Sequence, residues 1–319
     1  MGIHKELIVF DAASAMGGPE SDYTWWDQVK DGGLTAVAVT ITNQGNCREA
    51  ILLISKWYKR LMKDSGRLLH ITDVSDFQKA KEQGKTGVLF QLQNSSSIEN
   101  EPGLVEVLYR LGLRLMQLTY NERNLLGDGC AETTDAGLSK LGHEVILEMN
   151  RVGLVVDLAH AGYKTSMEAI ERSSKPIICS HANVYSLCKN PRNFRDDQIR
   201  ALTRKGGILG ISAFPSFVRK ERPTIEHMLD HVDYVCRLVG PQFVGLGLDF
   251  CPFPEEGWRK GIFGPPIYPP PPWNFPKGID NSAQMPNITK GLLARGYSKE
   301  DIVGIMGGNF IRLFEQVWN

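Results

Sequence analysis

The 319-residue chain lacks the features that would place it in a membrane or on a nucleic acid. No apolar run reaches the roughly 18 residues that span a bilayer, and the first residues lack the long apolar core of a signal peptide. Lys+Arg and Asp+Glu both number 36, so no net charge attracts nucleic acid or anionic lipid. We therefore expect a soluble, cytoplasmic protein with neither kind of partner.

Several motifs of common protein classes are also missing. The six cysteines form no CxxC pair, which is typical of reduced intracellular thiols and argues against a disulfide framework. The sequence contains no Walker-type phosphate loop and no GxSxG elbow. Any function must therefore be carried by other residues.

The sequence does contain eight apolar segments that alternate with helical patterns. These predicted strands cover residues 7–11, 35–42, 86–93, 113–120, 153–158, 176–179, 206–213 and 243–250. Continuous Val, Ile and Leu runs are typical of strands that are buried on both faces of a parallel sheet. Eight strands alternating with helices over about 250 residues predict a (β/α)8 barrel. An open doubly wound sheet is the alternative, but the even spacing favours closure.

The segment after the eighth predicted strand does not continue this alternation of strands and helices. Residues 252–287 are rich in proline and carry Trp258 and Trp273. Proline-rich sequence can be a ligand for SH3-like modules. Its position after a barrel strand favours instead a long loop that covers the barrel mouth or packs on a second subunit. We therefore predict one barrel domain over residues 1–319, with C-terminal helices over 288–319, that forms a homodimer.

Polar side chains stand at the carboxyl ends of the predicted strands, where barrels place their active sites. They are Gln93 with Asn94, Tyr120, His160, His181, Arg192 just beyond the sixth strand, and Asp249. We expect this set to share one site.

The two histidines suggest two kinds of chemistry. His160 and His181 could hold a divalent metal such as zinc, with Asp249 as a third ligand, because a catalytic zinc site needs three protein ligands. Without a metal, a histidine can act as general acid or base at neutral pH. The alternatives are two unrelated, hydrogen-bonded histidines in loops and an Asp249 that caps a helix.

Arg192 suggests the charge of the ligand. Its planar guanidinium binds a carboxylate through two parallel hydrogen bonds, so we expect a carboxylate-bearing small molecule. The alternative is a surface ion pair with a protein carboxylate.

Taken together, these residues make the family recognisable: the chain resembles the renal (membrane) dipeptidases. The resemblance runs nearly end to end and is carried by residues 111–132, 137–162, 175–183, 191–214, 243–250 and 296–310. It implies metallopeptidases with a (β/α)8 barrel and a two-zinc site. The resemblance implies that His160 and His181 correspond to the ligands of the second zinc. Arg192 falls on the arginine that contacts the substrate carboxylate, and Asp249 on an acid that transfers protons.

Other positions depart from the family's pattern. The His-x-Asp pair that binds the first zinc is replaced by Ala13 and Ala15. The bridging glutamate corresponds to Gln93, and a substrate-facing histidine to Tyr120. Alanine offers no donor atom, and a neutral amide supplies no charge to bridge two cations. We therefore expect one divalent metal at most, as in a divergent bacterial-type member.

Two functions follow from this comparison. The first is an enzyme that acts on a small carboxylate-bearing amino-acid derivative or dipeptide, by hydrolysis, isomerisation or lyase chemistry. Its expected catalytic residues are Tyr120, His160, His181 and Asp249, and its expected substrate contacts are Gln93, Asn94, Tyr120 and Arg192. The second is a non-catalytic relative that binds a small molecule or serves in an assembly.

Overall fold

The computed structural model describes residues 2–14, 18–251, 254–259, 261, 264 and 267–318. Its strands are β1 (Phe10–Ser14), β2 (Ala36–Thr40), β3 (Leu68–His70), β4 (Thr86–Leu92), β5 (Leu113–Gln117), β6 (Val155–Asp157), β7 (Ile178–Ala182), β8 (Ile208–Ile211) and β9 (Val244–Leu246). Its helices are α1 (Gly2–Glu6), α2 (Tyr23–Asp31), α3 (Cys47–Lys63), α4 (Ser75–Glu82), α5 (Leu104–Arg110), α6 (Lys140–Val152), α7 (Tyr163–Arg172), α8 (Asp196–Arg204), α9 (Pro215–Val218), α10 (Ile225–Val239), α11 (Pro254–Arg259), α12 (Met285–Ala294), α13 (Lys299–Val303) and α14 (Asn309–Val317).

The strands form one parallel sheet in the order β1-β2-β4-β5-β6-β7-β8-β9, with β3 paired to the first residues of β4. The two ends of this sheet meet, because the Asp249 N–H, just beyond β9, donates to the Ala13 carbonyl of β1 at 2.9 Å. The predicted (β/α)8 barrel is therefore confirmed. Within the described residues, no helix is long and apolar enough to cross a membrane.

Buried carboxylates hold the strands together where the backbone ladder is incomplete. Asp11 Oδ1 accepts from the Leu248 N–H at 2.8 Å, across the junction between β9 and β1, and from the Ala13 N–H at 3.2 Å. Asp157 at the end of β6 accepts in the same way from the Ser180 N–H of β7 at 2.8 Å. Burial raises the pKa of Asp11 to about 7, and these N–H groups oppose that shift.

Helix α6 shows how the sequence sets the outer layer. The Ser139 hydroxyl caps its first turn by accepting from the Gly142 N–H at 3.0 Å. Gly153 ends it at φ 87°, a left-handed conformation that costs glycine little. Between these caps Val145, Ile146 and Met149 recur at helical spacing, and all three are buried. The helix therefore covers the sheet with one apolar stripe.

Some predicted boundaries were wrong. β3 and α4 were missed, because a three-residue strand and an eight-residue helix carry too little periodicity to be detected. The sixth predicted strand, residues 176–179, corresponds to β7 at Ile178–Ala182, so His181 lies inside a strand rather than after it. The first strand begins at Phe10 instead of Leu7.

Candidate active site

A cavity of about 300 Å³ opens at the carboxyl ends of the barrel strands. It is lined by Thr40, Ile41, Thr42, Asn43, Gln93, Tyr120, His160, Phe214, Asp249, Cys251 and Tyr268. Four of the predicted site residues, Gln93, Tyr120, His160 and Asp249, are thus brought together on one surface. His181, Arg192 and Asn94 do not line this cavity.

His181 lies directly against His160. Their Nε2 atoms are 3.0 Å apart, and their rings meet edge to face with centroids 5.0 Å apart. His160 Nδ1 is 2.7 Å from Asn121 Oδ1, and His181 Nδ1 is 2.7 Å from Ser180 Oγ. Both imidazoles are therefore fixed through both ring nitrogens.

The electrostatics of the site follow from burial. Burial lowers the pKa of His160 and His181 well below the usual value, and the positive charge of Arg192 lowers it further. Both imidazoles are neutral at neutral pH as a result. Burial raises the pKa of Asp249 to about 7, while Arg192 opposes that rise. The cavity thus contains a carboxyl group that exchanges its proton near neutrality.

Backbone strain is concentrated in the same place. Asn121, His160 and Asp249 adopt φ values of 60°, 69° and 57°, in the left-handed region that side chains usually avoid. Such conformations cost about 1–3 kcal/mol each and cluster at functional sites. Here they aim an imidazole, its hydrogen-bond partner and a carboxyl at one point of the barrel.

Arg192 lies behind the histidine pair. Its side chain is 2% exposed. Its two terminal nitrogens reach the His181 carbonyl only at 3.5 and 3.4 Å, and its Nε has no partner. The guanidinium also lies 5.0 Å from the centre of the Phe217 ring. In the described part of the chain Arg192 forms no ion pair with a carboxylate, so the surface ion pair considered as the alternative is not present.

Asn94 has a different position from the one expected of a substrate contact. Its Oδ1 accepts from Asn124 Nδ2 at 2.7 Å and from the Ser95 N–H at 2.8 Å. The bond from Asn124 ties the loop after β4 to the loop after β5. The structure therefore separates Asn94 from Gln93, its neighbour in sequence.

The proline-rich segment contributes to the cavity through Tyr268. This ring packs with Phe214, which follows β8, and with Trp273, which is 8% exposed. Trp258 packs on the same cluster but is only partly buried. Within the segment, residues 252–253, 260, 262–263 and 265–266 lie outside the described residues, as does Ala15 near the first strand.

Sequence reasoning did not identify Asn121 or Tyr268. Asn121 follows Tyr120 directly and could have been noticed as a second polar residue at the same strand end. Tyr268 precedes a run of four prolines, in a segment without the periodicity that marks strands and helices, so no sequence pattern indicates its role. Asn121 Nδ2 donates to the Tyr268 hydroxyl at 3.5 Å, which links the loop after β5 to the proline-rich segment.

A two-zinc pair does not fit these residues. Ala13 is buried without a donor atom, and Gln93 stands uncharged where a bridging acid would be needed. Among the described residues no three or more His, Cys, Asp or Glu side chains form a group that could hold a metal ion. The nearest addition to the histidine pair is Asp249, whose Oδ2 is 4.0 Å from His181 Nε2. The Nε2 atoms of His160 and His181 are therefore the ligands that could hold a single ion.

Comparison with known proteins gives consistent results. Residues 26–260 and 273–319 match the membrane dipeptidase family (peptidase family M19). A dipeptidase of Aspergillus oryzae (aclJ) is 30% identical over 239 residues, which are 73% of this chain and 52% of that protein. The chain thus spans about half the length of the curated relatives it matches.

Two solved structures share the fold along nearly the whole chain. An amidohydrolase from Pseudomonas aeruginosa is 32% identical with a TM-score of 0.92, covering 99% of this chain and 98% of that one. A metallopeptidase from Rhodobacter sphaeroides, solved with a phosphinate mimic of the dipeptide L-Ala-D-Ala, is 17% identical with a TM-score of 0.83 and covers 98% and 99%.

Proposed function

The chain belongs to the membrane dipeptidase family, and we propose that it is a divergent hydrolase of that family. Its substrate would be a small amino-acid derivative or dipeptide that carries a carboxylate. Relatives named as dipeptidases support this class of substrate, as does the dipeptide mimic bound to the Rhodobacter sphaeroides metallopeptidase.

Arg192 is the observation that carries the proposal. A cation at 2% exposure that has only two long hydrogen bonds to one carbonyl is poorly compensated. The other charged residue of the site, Asp249, loses much of its negative charge near neutrality because its pKa is about 7. Arg192 does not line the cavity, so a ligand carboxylate would have to reach it behind the histidine pair. There it would supply the missing negative charge and match the planar guanidinium.

The cavity residues then have distinct roles. Asp249 would move a proton to or from the bound ligand. Tyr120 stacks on His160 with ring centroids 4.1 Å apart and would hold that imidazole in place while contacting the ligand. Gln93, which also lines the cavity, would contact the ligand as well. His160 and His181 would hold one divalent ion at most, and such an ion would polarise a carbonyl oxygen when bound.

The test is a comparison of acids with their amides. Calorimetry with N-acetylglycine and N-acetylglycinamide measures the contribution of the carboxylate, and a panel of dipeptides tests for hydrolysis. We expect tighter binding of the acid and turnover of at least one dipeptide. Equal binding of acid and amide would refute the role of Arg192. Binding without turnover of any substrate would favour a non-catalytic relative.

A further inference from the structure

We propose that Asp157 is a positioning residue of the histidine pair, because one of its carboxylate oxygens holds both His160 and His181 in place. It does so through the backbone of the residue that precedes each histidine. The inference deepens the proposed function and rests on it for one assumption, that the two imidazoles take part in that function.

Asp157 is the last residue of β6 and is fully buried. Its Oδ1 atom accepts two backbone hydrogen bonds, from the Ala159 N–H at 3.0 Å and from the Ser180 N–H at 2.8 Å. Ala159 directly precedes His160. Ser180 directly precedes His181 in the same way. A single oxygen atom is therefore bonded to the chain one residue before each imidazole.

The backbone ladder between the two strands that carry the histidines is short. β6 and β7 are joined by one residue pair, Asp157 with Ile178, whereas β5 and β6 are joined by three. The carboxylate adds a link that lies closer to the imidazoles, because Ser180 is two residues beyond Ile178 in the chain. The relative position of the two histidines thus depends on this side chain.

The bond to Ala159 also supports a strained conformation. His160 adopts φ 69°, in the left-handed region that side chains usually avoid. An aspartate oxygen that accepts from the N–H two residues later closes an Asx turn, a local fold of the backbone. This turn ends at Ala159, directly before the strained residue, and so it fixes the direction in which the imidazole leaves the chain.

Asp249, which also lines the cavity and adopts a strained φ of 57°, has comparable support. The residue directly before it, Leu248, donates its N–H to the buried Asp11 Oδ1 at 2.8 Å. A buried carboxylate oxygen is thus bonded to the backbone one residue before Asp249, as it is before His160. The repetition of this arrangement indicates that these carboxylates serve the site as well as the strands.

The spacing of the two imidazoles leaves little room for displacement. Their Nε2 atoms are 3.0 Å apart, at hydrogen-bond distance. A shift of either strand by about 1 Å would break this bond, since nitrogen atoms much beyond about 3.5 Å apart form none. The position of the proton on an imidazole is set by the bonds of its two nitrogens. We therefore expect the tautomers of His160 and His181 to depend on Asp157.

The charge of Asp157 is not needed for this role. Oδ1 accepts both backbone bonds, whereas Oδ2 forms no hydrogen bond of normal geometry. Burial raises the pKa of Asp157, and the Ser180 hydroxyl and the Gln117 amide lie close enough to oppose that rise. In Asp157→Asn the carbonyl oxygen can replace Oδ1, and the unpaired Gln117 Oε1 can accept from the new amide.

The test observes the imidazoles directly by NMR of protein labelled with nitrogen-15 in its seven histidines. Protonated and unprotonated ring nitrogens differ in chemical shift, so the tautomer is seen without ligand or metal. Spectra of His160→Gln and His181→Gln assign the signals of the pair. We expect one tautomer for each ring in the wild type, with the proton on Nδ1 of His160, which faces Asn121 Oδ1, and on Nε2 of His181.

Three substitutions of Asp157 separate its contributions. Asp157→Ala should reduce the tautomer preference of both rings about tenfold, the equivalent of one hydrogen bond, so that their signals average. Asp157→Asn should keep the wild-type signals, because it keeps the oxygen. Asp157→Ser is a milder change, because its hydroxyl can accept from the Ala159 N–H but is too short to reach Ser180 as well. In this variant His181 alone should show averaged signals.

Asp11→Ala is the matched control. The buried Asp11 Oδ1 also accepts two backbone N–H groups, one on β1 and one just beyond β9. Neither group precedes a histidine. The supported Asp249 has its Oδ2 4.0 Å from His181 Nε2, beyond hydrogen-bond distance. Asp11→Ala should therefore lower stability in urea as Asp157→Ala does, and leave both histidine signals unchanged.

Several results would overturn the inference. Mixed tautomers in the wild type, or wild-type tautomers in Asp157→Ala, would show that the carboxylate only joins strands. Averaged signals in Asp11→Ala would mean that any loosening of the barrel disturbs the pair, and averaged signals in Asp157→Asn would mean that the oxygen alone is not sufficient. If neither Asp157→Ala nor Asp157→Ser folds, the carboxylate is required for the barrel as a whole and its assignment to the histidines fails.

The fate of the proposed function is read separately. The NMR measurement uses no ligand, so a failure to bind carboxylates or to hydrolyse dipeptides would refute the proposed function without changing the histidine signals. Wild-type tautomers in Asp157→Ala would refute the positioning role and leave the carboxylate-binding test as it stands.

Discussion

The Nε2 atoms of His160 and His181 face each other at 3.0 Å, and their hydrogen bonds set an order of protons. Asn121 directs its Nδ2 at Tyr268, so its Oδ1 accepts from His160 Nδ1–H. His160 Nε2 is then unprotonated and accepts a hydrogen bond from His181 Nε2–H. His181 Nδ1 is therefore also unprotonated, and it accepts a hydrogen bond from the Ser180 hydroxyl. If both Nε2 atoms were to hold a metal ion, the His181 proton would have to move to Nδ1.

The first prediction concerns metal content. Protein equilibrated with zinc and then dialysed should retain at most one tightly held ion per chain, measured by elemental analysis. Any retained ion should be lost in His160→Ala and His181→Ala, because each removes one of the two facing nitrogens. His143→Ala on α6, outside the site, should change nothing. Two equivalents of zinc in the wild type would contradict this prediction.

Arg192→Ala should weaken binding of N-acetylglycine. The loss of a charge-assisted contact costs about 1.5–3 kcal/mol, or about ten- to a hundredfold in affinity. Arg192→Lys should recover little, because a point charge does not reproduce the guanidinium plane. Calorimetry on both variants checks the expectation, with the exposed Arg204→Ala as control. An unchanged dissociation constant in Arg192→Ala would remove the basis for a carboxylate ligand.

Trp273→Ala should affect both stability and binding. The ring packs 4.9 Å from the Phe214 centroid and 5.6 Å from that of Tyr268, and its Nε1–H donates to the Pro269 carbonyl at 2.8 Å. Removing a buried tryptophan costs on the order of 3 kcal/mol. Tyr268, which lines the cavity, loses its support at the same time. Urea denaturation should show the lost stability and calorimetry weaker ligand binding.

Trp258→Ala is the comparison for that variant, since Trp258 belongs to the same segment but is only partly buried. It should cost less stability than Trp273→Ala. Equal effects of the two substitutions would mean that the segment acts as a whole and that Trp273 has no special part in holding Tyr268.

His231 should make stability depend on pH. Its Nδ1 accepts from the Val184 N–H at 3.1 Å and its Nε2 bonds to the Val218 carbonyl at 3.0 Å, and burial lowers its pKa from 6.5 to about 4. Below pH 6.5 the His231 imidazole binds a proton in the unfolded chain, whereas in the folded chain it binds one only near pH 4. The contribution of His231 to stability is therefore complete above pH 6.5 and is lost progressively as the pH falls toward 4.

Urea unfolding at several pH values measures that contribution. His231→Asn can still accept from Val184 but does not titrate. From about pH 7.5 to about pH 5 the wild type should lose about 2 kcal/mol more than this variant. His143→Asn should keep the wild-type slope. Identical slopes for His231→Asn and the wild type would show that the proton uptake lies elsewhere.

The sequence was sufficient to predict the architecture because long elements repeat a clear pattern. The predicted strands at 86–93 and 113–120 overlap β4 (Thr86–Leu92) and β5 (Leu113–Gln117). Strand ends were less predictable. The run from Pro176 to Cys179 is apolar, whereas the actual strand β7 continues through the polar Ser180 and His181, whose partners come from other parts of the fold.

The site was predictable in part for the same reason. Gln93, Tyr120, His160 and Asp249 converge because each follows a barrel strand, which spacing alone can indicate. Asn94 lies one residue beyond Gln93 and is turned to Asn124 by loop geometry, which no pattern reveals. Tyr268 reaches the cavity from a segment without regular periodicity.

The hydrogen bond between Ala13 and Asp249 shows that Ala13 supports the barrel through its backbone and not through its side chain. The Ala13 carbonyl joins the two ends of the sheet by accepting from the Asp249 N–H, and every amino acid has that carbonyl. A metal-binding side chain at this position can therefore be exchanged for a methyl group while the barrel stays shut. The closure of the barrel therefore does not depend on which side chain stands at this position of its mouth.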